Sequence, residues 1–165
     1  MIHQGSDFLT EAVMNSFEAS ASEIVIACTV LPAFVDITVK DDGEGLKCTD
    51  AFGDGVSTKG DERGMGLYLL KMAAEEASIG SDETGTLLSF RMKRESMGSL
   101  TEVLPFIFSF SDRGVSVTFS IRRGSEVFTL DSRSLRDELG ELSRVGAICE
   151  MRKRSRVADE LLKES

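Results

Sequence analysis

Phe34-Val35-Asp36-Ile37-Thr38-Val39-Lys40 runs directly into Asp41-Asp42-Gly43-Glu44-Gly45. Apolar and polar residues alternate from Val35 to Val39, which is typical of a strand with one buried face. Asp and Gly favour turns, so the acidic glycine run ends the strand. The sequence therefore predicts a sheet with a carboxylate, Asp41, at the end of one strand.

A helix and a strand precede this stretch. Residues 6–20 carry apolar side chains at helical spacing, and Ser22 to Val30 is rich in β-formers. Glu11 and Asn15 lie one helical turn apart on a polar stripe, where a carboxylate and a carboxamide can converge on one small target such as Mg²⁺. Polar stripes are also the rule on surface helices, so a solvated face is the alternative interpretation.

A glycine-rich loop follows, and it runs into a second predicted helix from Met65 to Ala77. Free amides and the positive end of a helix dipole can hold phosphate groups, and Lys59 and Arg63 add cations. A flexible loop with a capped helix is the alternative. The Thr84-Gly85 turn then introduces a strand predicted from Thr86 to Lys93.

The last third of the chain has its own pattern. Met97-Gly98 is a plausible domain seam, and beyond it Leu100 to Phe110 is apolar and helical at least at its start. Two β-rich segments, residues 115–121 and 126–130, predict a hairpin closed near Arg123-Gly124-Ser125. Residues 131–139 and 145–163 are predicted helices. The basic run from Arg152 to Arg156 fits a solvated helix face better than a nucleic-acid contact.

Composition excludes several classes of function. The 165 residues carry a net charge of -9, which disfavours nucleic acid or an anionic membrane as a general partner. There is no long apolar run and no secretion signal at the N-terminus. The three cysteines lack metal-binding spacing and are expected to be reduced in a cytoplasmic protein. The single histidine, His3, argues against a mechanism that needs a histidine base or phosphoacceptor within this chain.

Taken in order, these segments resemble the ATP-binding domain of the GHKL group, which comprises gyrase, Hsp90, histidine kinases and MutL. Glu11 to Ala19 resembles the group's N-box, and Asp41, Gly43 and Gly45 resemble its G1 box, in which the Asp reads adenine. Phe52 resembles the lid phenylalanine of histidine kinases. The G2 box is resembled by Arg63-Gly64-Met65-Gly66-Leu67, and Thr86 resembles the threonine that follows it.

The resemblance implies a fold, a ligand and a set of roles. The fold is α+β, a two-layer α/β sandwich of the Bergerat type with a mixed, mostly antiparallel sheet over residues 1–97. Residues 98–165 form a small α+β region for contact with a partner or a second copy. ATP and Mg²⁺ are the implied cofactors, with Glu11 as the catalytic base, Asn15 as the Mg²⁺ ligand and a possible second ligand in Glu11. Nucleotide contacts are expected at Asp41, Gly43, Gly45, Phe52, Lys59, Arg63, Gly64, Met65, Gly66, Leu67 and Thr86.

The sequence also departs from the group. Glu62 replaces the first glycine of the usual G2 triplet, and the lid is short beside those of MutL and gyrase. Three functions stay open: a kinase acting on a partner protein, similar to the anti-sigma-factor serine kinases; an ATPase switch with slow hydrolysis; and a non-catalytic nucleotide-binding adaptor. Gly98 to Glu141 also resembles the tail of small ATP-binding proteins associated with iron-hydrogenase gene clusters.

Overall fold

The computed structural model describes residues 4–44 and 69–163, which form five α-helical segments, two short 3-10 helices (Arg94–Ser96 and Phe110–Arg113) and six strands. The helices are α1 (Gly5–Glu18), α2 (residues 69–73), α3 (Leu100–Ser109), α4 (Ser132–Leu139) and α5 (Val145–Lys163). The strands are β1 (Glu23–Val30), β2 (Phe34–Asp41), β3 (Glu76–Asp82), β4 (Gly85–Lys93), β5 (Ser116–Arg123) and β6 (Glu126–Asp131).

The six strands form one sheet in the order β3-β4-β2-β1-β5-β6. Only β1 and β5 run parallel; the other four pairings among the described strands are antiparallel. The two central antiparallel registers place Val39 of β2 between Ile26 of β1 and Leu88 of β4. The predicted α+β sandwich with a mixed, mostly antiparallel sheet is confirmed.

One face of the sheet is buried. In β1, β2 and β5 every second residue is buried, and the pairing register puts those residues on the same face. Leu9 of α1, Leu70 of α2, Leu104 of α3 and Met151 of α5 join the same hydrophobic cluster. The helices therefore share one side of the sheet, which is what we expected of α1 and the helix after the glycine-rich loop. No helix in the described ranges has the length and apolar character needed to cross a bilayer.

The second helix and the third strand differ from the sequence prediction. The helix predicted to reach Ala77 ends within residues 69–73, and Glu76 and Ala77 already belong to β3. Most of β3 is exposed, and only Ala77 and Ile79 supply an apolar side to its alternation, which is too short a pattern to mark a strand. Pairing with β4 keeps β3 extended, and no local sequence pattern predicted this strand.

Met97, at the predicted domain boundary, lies in the interior of the protein. Met97 is fully buried, and its carbonyl oxygen accepts a hydrogen bond of 2.7 Å from the Ser6 amide at the start of α1. Beyond it, β5 pairs with β1 over Glu23 to Thr29. Residues 98–163 therefore extend the sheet and the core of the first part of the chain. Their proposed role in contacting a partner stays a prediction.

Candidate nucleotide-binding site

Asp41, at the end of β2, is a buried carboxylate held by two donors. The Ser16 hydroxyl on α1 donates to Asp41 Oδ2 at 2.5 Å, and the Gly43 amide donates to Oδ1 at 2.9 Å. Asp41 is only 8% exposed and Ser16 only 4%. A carboxylate has about four lone-pair sites, so these two bonds orient the group and leave it able to accept from a ligand.

β4 presents Thr86 directly opposite Asp41 in the sheet register. The turn before it requires Gly85, whose φ is +143° and where a Cβ atom would lie 1.9 Å from the carbonyl oxygen of Asp41. The Thr86 and Ser81 hydroxyls lie 3.0 Å apart. The tight β3–β4 turn thus sets a hydroxyl beside the carboxylate.

The C-terminal end of α1 is fastened to the turn after β2. The Glu44 amide donates to the carbonyl oxygen of Ala19 at 2.8 Å. Gly43 packs so closely that a Cβ atom there would lie 2.7 Å from the same oxygen. This contact fixes the distance between α1 and Asp41, and it explains why a glycine occupies position 43.

A cavity lies between α1 and the strands. It is lined by Ala12, Asn15, Ser16, Ala19, Val39, Asp41, Ile79, Thr86 and Leu88. Most of the lining side chains are apolar, and Asn15, Asp41 and Thr86 add polar groups to them. This combination is usual in a binding site for a small molecule. The cavity has a volume of about 30 Å³.

Asp42, next to Asp41, secures the neighbouring strand. Its carboxylate accepts hydrogen bonds from the Ser22 hydroxyl and from the Ser22 and Glu23 amides at 2.5 to 2.9 Å. These donors hold the pKa of Asp42 below its ordinary value, and the Ser22 hydroxyl has the largest effect. The start of β1 is therefore tied to the end of β2, beside the cavity.

Sequence comparison decides which family this arrangement belongs to. The family model of the histidine kinase-like ATPase domain matches residues 8–92, just over half of the chain. The chain belongs to the histidine kinase-like ATPase family. The matched range covers every residue that lines the cavity, from Ala12 on α1 to Leu88 on β4. It is thus an ATP-binding domain of the GHKL type.

Solved structures show the same fold. The Aquifex aeolicus MutL ATPase domain complexed with ADP superposes with a TM-score of 0.53 at 18% identity, covering 86% of this chain and 69% of that one. The N-terminal domain of a DNA repair protein superposes with a TM-score of 0.58 at 13% identity, covering 87% of this chain. The chain spans only 57% of that DNA repair protein structure. A comparison with curated proteins gives no match.

The structure of this histidine kinase-like ATPase brings together part of the predicted site. Asn15, Asp41 and Thr86 line one cavity, and Gly43 lies beside it. Glu11 is half-buried on α1, one turn before Asn15, and is outside the cavity lining. The remaining predicted contacts lie outside the described residues: Gly45, Phe52, Lys59, Arg63, Gly64, Met65, Gly66 and Leu67.

Sequence reasoning missed several lining residues. Ser16 follows Asn15 directly, yet nothing local indicates that its hydroxyl reaches Asp41, which is 25 residues away. Ile79 lies on β3, which was not predicted as a strand. Ala12 lies on the buried side of α1 and Ala19 directly follows the helix, and the sequence marked both only as small residues.

Proposed function

We propose that this protein binds Mg-ATP in the cavity between α1, β2 and β4 and acts as a regulator that either phosphorylates a partner protein or hydrolyses ATP slowly as a switch. The observation that carries the proposal is the buried Asp41 carboxylate, oriented by Ser16 and Gly43 and facing Thr86. Ser16 and Gly43 use only part of the acceptor capacity of Asp41, so this buried carboxylate can still accept a hydrogen bond from a ligand in the cavity.

Adenine fits this arrangement chemically. The exocyclic amine of adenine can donate to Asp41, and the Thr86 hydroxyl can bond a ring nitrogen directly or through water. The apolar side chains of Val39, Ile79 and Leu88 offer surfaces for a flat base. A guanine would instead present a carbonyl to the carboxylate and leave both acceptors unpaired.

The triphosphate end is proposed to lie along α1. Asn15 offers an amide oxygen and Glu11 a carboxylate, the hard oxygen donors that suit Mg²⁺. Mg²⁺ bound there would neutralise phosphate charge. Glu11, which can accept a proton where Asn15 cannot, is assigned to the base that activates the attacking hydroxyl or water.

Labelled ATP separates kinase from switch. The native protein is incubated with γ-labelled ATP, alone and with fractionated lysate. A labelled protein band that Glu11→Gln abolishes indicates a kinase, and released phosphate without such a band indicates a switch. If neither appears while ATP still binds, the enzyme proposal fails and the non-catalytic adaptor replaces it.

Base recognition has its own test. Asp41→Asn replaces an acceptor with a donor and should weaken ATP binding by roughly tenfold or more, on the ~1.5–3 kcal/mol of a charged hydrogen bond. Titration calorimetry with ATP and GTP measures it, and Asp131→Asn, on β6, is the control for charge. Equal affinity of the native protein for the two nucleotides contradicts the assignment of Asp41.

The wider setting is also part of the proposal. A cytoplasmic location is expected from the three cysteines, which are interpreted as reduced thiols, and a protein partner is expected from the resemblance to the anti-sigma-factor serine kinases. Residues 98–163 present α4, α5 and the outer strand β6 for such a contact.

A further inference from the structure

A pair of hydroxyl groups joins β3 to β4 beside the cavity. In the sheet register, Ser81 of β3 lies opposite Thr86 of β4, and Thr86 lies opposite Asp41 of β2. Residues directly opposite each other in antiparallel strands project from the same face, so these three polar side chains form one row across the sheet. Thr86 and Asp41 line the cavity, whereas Ser81 contacts Thr86 from the side away from Asp41, at 3.0 Å between the hydroxyl oxygens. An effect of Ser81 on a base in the cavity therefore passes through Thr86.

The turn between these two hydroxyls is fixed by its own contacts. Asp82 Oδ1 accepts hydrogen bonds from the amide and the hydroxyl of Thr84, at 2.8 and 2.6 Å. Gly85 then lets the chain reverse, at a φ of +143°. The turn keeps Ser81 and Thr86 in register and their hydroxyls within hydrogen-bonding distance, and the oxygen positions leave open only which hydroxyl donates.

The chemistry of adenine sets that direction. The adenine amine lies between two ring nitrogens, N1 and N7, and both are hydrogen-bond acceptors. The Asp41 carboxylate has no proton to offer them, so the donor has to be the Thr86 hydroxyl, directly or through one water. A hydroxyl has a single proton, and with that proton turned toward the base Thr86 can only accept from Ser81.

We infer that Ser81 is a positioning residue for adenine: its hydroxyl donates to Thr86 and holds the Thr86 proton toward a ring nitrogen beside the amine. The inference rests on the proposed binding of ATP at Asp41 and Thr86. A hydroxyl that accepts one hydrogen bond becomes a stronger donor in the next, so the Ser81 contact strengthens the bond to the base as well as orienting it. Ser16 orients the acceptor, Asp41, in the same way.

Titration calorimetry with ATP and two analogues tests the inference. 1-Deaza-ATP and 7-deaza-ATP each carry C–H in place of one ring nitrogen, so native protein should bind the analogue that lacks the contacted nitrogen more weakly than ATP. Ser81→Ala should weaken ATP binding by about two- to tenfold, the range for a neutral hydrogen bond. It should leave the affinity for that analogue unchanged, because Thr86 then has no ring nitrogen to donate to. Ser81→Thr keeps the hydroxyl and should retain the native affinity for ATP.

Ser78→Ala is the matched control, since it removes an exposed hydroxyl from the opposite face of β3 and should leave every affinity native. Native affinity for ATP in Ser81→Ala overturns the inference. An equal loss of affinity for ATP and for both analogues overturns it too, because that result reports a general loosening of the β3–β4 turn. Native protein that binds no ATP contradicts the proposed function and the inference together, whereas the two results above leave the proposed function standing.

Discussion

The Ser16 hydroxyl orients the Asp41 carboxylate by donating a hydrogen bond to it. Ser16→Ala removes one donor from a buried carboxylate, so we expect a loss of about 1–3 kcal/mol in the free energy of unfolding and several-fold weaker ATP binding. Chemical denaturation and calorimetry measure the two effects. Ser111→Ala removes a comparably buried hydroxyl away from the cavity and should leave ATP affinity unchanged. Native ATP affinity in Ser16→Ala would show that Asp41 needs no such support.

Asn15 and Glu11 should separate binding from turnover. Asn15→Ala removes an uncharged oxygen ligand and should abolish tight binding that depends on Mg²⁺. Glu11→Gln keeps the shape but loses the base, so binding should persist while turnover falls by ~10²-fold or more. Single-turnover measurement avoids a rate limited by conformational opening. Native single-turnover rates in Glu11→Gln would remove Glu11 from the chemistry.

Asp42 links two strands, and its effect on stability should depend on pH. Because the pKa of Asp42 is lowered in the folded protein, its contribution is fully present above the ordinary Asp pKa of about 3.9 and is lost as the pH falls through the folded value. Asp42→Asn should therefore be less stable than native protein at neutral pH, and the difference should shrink below about pH 4. Urea denaturation of both proteins across this range measures the difference. A difference in the free energy of unfolding that does not change with pH would show that the hydrogen bonds from Ser22 and Glu23 do not depend on the negative charge of Asp42.

The β-strands differ in how far local sequence determined them. The sequence predicted β1, β2, β4 and the β5–β6 hairpin. Their segments are rich in β-formers or alternate between apolar and polar residues, and such a segment buries one face whichever strand it pairs with. β3 was missed because its residues gain extended structure only from β4. The helix before β3 was predicted too long for the same reason. Its apolar residues have helical spacing, and that spacing does not show that the last of them pair with another strand instead.

The described residues share one hydrophobic cluster, so the chain should unfold in a single transition. Val117, Phe119 and Ile121 of β5 cover the β1 edge that a chain ending at Met97 would leave open. Circular dichroism and hydrogen exchange in β1 and α5 should report the same free energy of unfolding. The fragment 1–97 should not fold alone, which its NMR spectrum would show. Well-dispersed amide signals from that fragment would establish two independent folding units.

Some features of the candidate site follow from local sequence, and others depend on the tertiary structure. Local spacing was enough to predict that β2 is half-buried, that it ends in the Asp41-Asp42-Gly43 turn, and that Glu11 and Asn15 share one side of α1, because these features depend on residues only a few positions apart. Three features are visible only in the folded chain: the hydrogen bond from Ser16 to Asp41, the position of Thr86 opposite Asp41, and the parallel pairing of β5 with β1. Those contacts join residues tens of positions apart, and their proximity depends on how the whole apolar face of the sheet is covered, which no short stretch of sequence specifies.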